Sequence, residues 1–257
     1  MTYAHTTINP HLAARLSRPA AVPQPARPRV VYAKLPLAPI TASPVPELTS
    51  LYHNSRAGDY GDRGYPGNCG GNLIRDLLRF FRPATVLDPM TGSGTCRDVC
   101  RELGIYCWSS DLHQGHDACG PSPFTEAFAF CWLHPPYWRQ KLYTEDPRDL
   151  SRAPTLEAFL GRYELLLQRS AEALMPGGKL AVLMGDYSDR EAGFVPLVFH
   201  TKLLAFRAGL RQCSTDIIRF SHGASSSKKV YRSSFIPGLH DVCMVFEKSK
   251  PQGGDYE

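Results

Sequence analysis

The chain of 257 residues has no apolar run approaching the ~20 residues that a membrane helix needs. Its N-terminus also lacks the apolar stretch of a secretory signal. No membrane partner is therefore expected, and the expected location is cytoplasmic. Acid is missing from residues 1–46, which carry Arg15, Arg18, Arg27, Arg29 and Lys34 and so account for the whole formal net charge of +5. The same stretch holds nine of the 22 prolines, too many for a regular helix or a sheet ladder. Residues 1–46 are expected to form a disordered or wrapping arm, serving nucleic-acid phosphate, a partner or only solvent. Residues 47–250 are expected to form one domain, and 251–257 a tail. The eight cysteines contain no CxxC pair, so neither a zinc ribbon nor a thioredoxin-like site is signalled and no metal site is expected. Cys96 and Cys100 are four apart and can share a helix face, and the thiols are read as structural groups in a reducing compartment.

From residue 70 onward, strand and helix patterns alternate. Residues 72–81 place Leu73, Ile74, Leu77, Leu78 and Phe81 at helical spacing, and Pro83 stops that helix. Apolar strands are expected at 84–87, 105–110, 127–133 and 179–184, and near 215–220 and 241–247. Helices are expected at 94–103, 155–174 and 196–208, with Pro176-Gly177-Gly178 as a turn. Strands that are apolar throughout and alternate with helices imply an α/β fold, a doubly wound, mostly parallel sheet with helices on both faces.

The segment DPMTGSGT, residues 88–95, follows a strand and opens a helix. Gly92 and Gly94 let the backbone turn tightly and approach a ligand. Asp111 ends the next strand, where an acid can accept hydrogen bonds from two ribose hydroxyls. The turn has no Lys, which disfavours a nucleoside triphosphate, and it departs from GxGxxG, which weakens a dinucleotide. Asp88 would repel a pyrophosphate and attract a cationic or amino-bearing ligand, and S-adenosylmethionine has both an ammonium and a sulfonium. A second motif, HPPYW from His134, leaves the third strand. Pro135 and Pro136 remove two N–H donors and fix the backbone, and Tyr137 offers a flat face for stacking a base.

DPMTGSGT, followed about 40 residues later by HPPYW, resembles the amino-methyltransferases of DNA, whose motifs are close to DPFxGSGT and (D/N/S)PPY. YPGNCGGNLIRDLLRFF resembles that family's cofactor-flanking segment, GGKLAVLMGD its later core strand and HDVCMVFEK its final strand. The resemblance implies a Rossmann-like methyltransferase sheet and S-adenosylmethionine held by Asp88, Pro89, Met90, Gly92, Gly94, Thr95, Asp111 and Leu112. It implies catalysis at His134, Pro135, Pro136 and Tyr137, with methyl transfer to the exocyclic amine of adenine or cytosine. The expected partner is double-stranded DNA with a flipped base, or a single strand, in DNA methylation or restriction–modification. His134 departs from the family's Asp, Asn or Ser, which opens the choice of base; a neutral imidazole still accepts a hydrogen bond from an amine.

Only about 40 residues separate PPYW from the next core strand, leaving no room for a large target-recognition domain. Recognition is then expected from loops, the arm, a second copy of the chain or a partner subunit. The acid-free run from Arg219 through Lys228 and Lys229 to Arg232 is expected to contact phosphates. Two alternatives are an RNA amino-methyltransferase and a catalytically silent methylase fold that regulates by binding DNA. Carbon-5 methylation of cytosine is disfavoured because the chain has no Pro-Cys dipeptide.

Overall fold

The computed structural model describes residues 41–53, 58–220, 236 and 238–250. Most of the acid-free arm, the 251–257 tail, and Lys228, Lys229 and Arg232 therefore lie outside the described residues. Val45 is buried and its carbonyl accepts from the Leu48 N–H at 3.1 Å, so packed chain begins before the arm boundary expected at residue 46.

The elements run β1 (Leu51–His53), α1 (Asn72–Phe81), β2 (Thr85–Asp88), α2 (Thr95–Leu103), β3 (Tyr106–Ser109), β4 (Phe128–Leu133), α3 (Leu156–Ala173) and β5 (Leu174–Met184). A short hairpin of β6 (Tyr187–Asp189) and β7 (Gly193–Val195) follows, then α4 (Leu197–Arg207), β8 (Leu210–Gln212), β9 (Ile217–Phe220) and β10 (His240–Lys248). The main sheet has the order β1-β9-β10-β5-β4-β2-β3, and β8 also pairs with β10. Strands β2 to β5 pair in parallel, as do β1 and β9, whereas β10 runs antiparallel to β5, β8 and β9. This is the open, doubly wound, Rossmann-like architecture expected.

Both faces of the central strands are covered, so period-2 alternation appears as a change of partner and not of polarity. Leu180, Val182 and Met184 of β5 join the core under α3 and α4, with Phe159, Leu166 and Leu204. Ala181 and Leu183 join the opposite core, with Leu73, Ile74 and Leu77 of α1 and Val99 of α2. The 176–178 stretch, expected as a turn, remains inside β5; the sheet absorbs it as an irregular step in the β4–β5 register between Phe128 and Phe130. From β2 the chain steps outward to β3, then returns to place β4 on the other side of β2. The crevice where the order reverses is the place where open α/β sheets bind ligands.

Candidate active site

Three loops that leave the carboxyl ends of these strands build the site, beginning with the glycine turn after β2. Gly92 and Gly94 have φ of +47° and +77°, and a Cβ on Gly92 would lie 3.0 Å from the Tyr65 ring. The turn is closed by Gly94 N–H to Thr91 O at 2.8 Å and tied to β3 by Thr91 N–H to Ser110 O at 3.1 Å. Asp88 is buried, and its Oδ2 accepts from the Ser109 hydroxyl at 3.0 Å. Burial, with Cys107 nearby, pushes its carboxyl up to about 7.

That shift has a defined sign. The folded state favours protonated Asp88, so the associated stability is fully present below the ordinary value of 3.8 and is lost as pH rises through about 7. Asp88→Asn is therefore expected to be more stable than the parent at pH 8, by up to about 4 kcal/mol. Chemical denaturation at a series of pH values checks this: the gap should shrink towards acid pH.

Asp111 follows β3. Its Oδ2 accepts from the Gly92 N–H at 3.1 Å and its Oδ1 from the His113 N–H at 3.0 Å. Each oxygen retains a second accepting position. His116 stands beside it, edge-on to Trp108 with ring centroids 4.7 Å apart. The buried His116 Nε2 has no hydrogen-bond partner among the described residues, and burial lowers the ring's pKa, favouring neutral imidazole. Nothing in the spacing marks His116; its role becomes visible only when the loop folds back over β3.

The third loop follows β4. Pro135 and Pro136 are buried, His134 is half-buried, and the Tyr137 hydroxyl lies 3.4 Å from His134 Nε2. The Tyr137 ring rests on Gly185, where a Cβ would come within 2.8 Å of its Cε2, and burial raises the pKa of its hydroxyl. Trp138 anchors the turn with a positive φ of 48°, its indole N–H reaching Ala153 O at 3.0 Å. Arg139 covers that indole and binds Asp189 of β6 through two hydrogen bonds, of 2.9 and 2.7 Å.

These loops share one open cleft. Of the residues anticipated, Asp88, Pro89, Met90, Gly92, Thr95, Asp111, Leu112, His134 and Pro136 line it. Gly94, Pro135 and Tyr137 stand behind the lining: Gly94 caps α2, and Tyr137 turns its ring to Gly185. The segment before α1 forms the opposite wall through Tyr65, Pro66, Gly67 and Cys69. It is fastened to the glycine turn by Asp62 N–H to Ser93 O at 2.8 Å and to α2 by Gly61 N–H to Asp98 at 2.9 Å. Tyr65 stacks on Tyr143 with centroids 5.9 Å apart.

Arg219 requires a correction. It is buried in β9, directly opposite Asp241 of β10, and grips that carboxylate through both Nε, at 2.8 Å, and Nη2. Its Nη1 donates to the Cys69 carbonyl at 2.9 Å. With its charge neutralised and its donors engaged inside the protein, Arg219 is a structural tie and not a phosphate contact.

No family model matches the chain, and no curated protein matches it. The chain is similar to a candidate DNA modification methylase from Thermus thermophilus complexed with S-adenosyl-L-methionine, at 20% identity over 55% of each chain and a TM-score of 0.37. It is also similar to the N-methyltransferase NodS of Bradyrhizobium japonicum WM9 with S-adenosyl-L-homocysteine, at 16% identity over 69% of this chain and 72% of that one, TM-score 0.36. A third is the 1,6-didemethyltoxoflavin-N1-methyltransferase of Burkholderia thailandensis, at 16% identity over 70% and 78%, TM-score 0.42. The match spans about half the length of the Thermus methylase.

Proposed function

We propose that this chain is an S-adenosylmethionine-dependent methyltransferase acting on the exocyclic amine of adenine or cytosine in DNA. The observation that carries the reading is convergence: the carboxyl ends of the adjacent parallel strands β2, β3 and β4 bring Asp88 and Gly92, Asp111, and His134 with Pro136 to one cleft.

The residues present suit such a cofactor. Asp88 is a buried carboxyl whose ionised form needs a positive partner. Asp111 has accepting positions to spare, and His116 Nε2 is a buried polar atom awaiting a partner. When bound, S-adenosylmethionine supplies a methyl group already activated by its sulfonium. Asp88 favours the cationic end, Asp111 takes the ribose hydroxyls, and the Gly92 turn gives the backbone close approach.

The target amine is a poor nucleophile because its lone pair is delocalised into the base. His134 and the Pro135 carbonyl accept its two N–H bonds, which favours a pyramidal nitrogen with its lone pair free to react. His134 then takes up the proton released on transfer. Tyr137, behind the lining, steadies the His134 imidazole through its hydroxyl. Positioning supplies the largest part of the rate. Transfer of a tritium-labelled methyl group from S-adenosylmethionine to acid-precipitable DNA, with RNA in parallel, tests the proposal; incorporation into neither, or into RNA alone, overturns it.

Asp111→Ala is expected to weaken S-adenosylmethionine binding about tenfold or more, since two ribose hydrogen bonds contribute ~1–3 kcal/mol together. The loss also frees the Gly92 N–H and loosens the turn. Calorimetric titration measures the effect, and an unchanged Kd would remove Asp111 from the cofactor site.

A further inference from the structure

Three thiols outside the chemistry above converge behind the glycine turn. Cys96 lies in the first turn of α2, Cys100 one turn later on the same face, and Cys107 on the edge strand β3 against which α2 packs. Their three sulfur atoms all lie within 4.8 Å of one another, and none is in a disulfide. Cys96 and Cys100 are buried and Cys107 is partly exposed, which leaves a path from solvent. No other group of three potential ligands meets in this way among the described residues.

Clustered thiols are weak hydrogen-bonding groups, and three of them facing one point gain little from one another. Sulfurs bound to one ion at ~2.3 Å lie roughly 3.8–4.0 Å apart, so even from the 4.8 Å limit each would move inward by only about 0.5 Å. Soft thiolates select Cu(I) or Zn(II) among cations available to a protein. Both are closed-shell ions that accept the geometry the sulfurs impose. Cu(I) is satisfied by three sulfurs; Zn(II) would complete its tetrahedron with water.

We propose that Cys96, Cys100 and Cys107 form a three-sulfur site for one thiophilic closed-shell cation, Cu(I) or Zn(II). Binding forms three metal–sulfur bonds and releases the thiol protons to solvent, with no change of oxidation state. The site adjoins the cleft, whose lining includes Cys96, and its test does not depend on activity.

The experiment uses the full chain, reduced and kept anaerobic. Cu(I) is titrated against bicinchoninate and, in a separate arm, Zn(II) against a chromophoric zinc chelator. One equivalent of at least one ion is expected to transfer to the protein. X-ray absorption should then show three sulfur neighbours, alone for Cu(I) and joined by one oxygen for Zn(II). Cys107→Ala, at the half-exposed position, should weaken binding beyond the ~10–100-fold that loss of an outer-shell partner costs, while circular dichroism shows the fold retained. Cys100→Ala should do the same, and Cys213→Ala, outside the cluster, should bind as the parent does. Failure of both ions to bind stoichiometrically would overturn the proposal. So would binding that survives Cys107→Ala in a folded protein, or a coordination shell with fewer than three sulfurs.

Discussion

Tyr137→Ala is expected to reduce methyl transfer about a hundredfold or more while leaving the Kd for S-adenosylmethionine nearly unchanged. Tyr137 steadies the His134 imidazole, and a misplacement of about 1 Å at the reacting amine can cost ~100-fold. The structure separates the two effects. The Tyr137 ring lies on Gly185, and its hydroxyl faces His134 Nε2 at 3.4 Å, whereas Gly92 and Asp111 belong to the loops after β2 and β3. Removing the ring leaves those loops in place and frees the imidazole proposed to accept the target amine. Single-turnover transfer rates and calorimetric Kd values, measured on the same variant, check the split. A variant that transfers methyl groups at the parental rate would make the His134–Tyr137 turn purely structural.

Arg219→Ala is expected to lower folding stability by about 3–5 kcal/mol, because it leaves the Asp241 carboxylate buried without its opposite charge. Arg219 also holds the Cys69 carbonyl, so the wall of the cleft before α1 should loosen with it. The paired replacement Arg219→Met with Asp241→Leu removes both charges and should recover much of the loss, since an apolar pair of similar volume is often as stable as a buried ion pair. Urea denaturation of the three proteins measures this. A phosphate-binding arginine behaves differently: its removal leaves stability intact and weakens only nucleic-acid binding.

The contrast between Arg219 and Asp111 shows what local sequence conveys. Asp111 is legible because a strand end, a glycine turn and an acid at a fixed interval are tied by the geometry of one β-α-β unit. Arg219 precedes a basic, acid-free run, and its partner Asp241 lies 22 residues away on the antiparallel neighbour, so charge patterning alone points outward. The central strands and helices α1 to α4 are readable because burial on both faces writes continuous apolar runs, and glycine or proline punctuates them. Strands β1, β6, β7 and β8 are three residues each, too short to carry a period, and they exist through pairing. His116 and the meeting of Cys107 with Cys96 and Cys100 likewise depend on where β3 lies against its neighbours, which spacing along the chain does not encode.

The most direct test of the central claim is the identity of the methylated nucleoside. Protein incubated with S-adenosylmethionine and unmethylated genomic DNA is followed by enzymatic digestion and mass spectrometry of the nucleosides. Methylation of the exocyclic amine of deoxyadenosine or deoxycytidine, strongly reduced in the Tyr137→Ala reaction, is the predicted result. Carbon-5 methylation of cytosine, or methyl groups found only on RNA, would contradict the account.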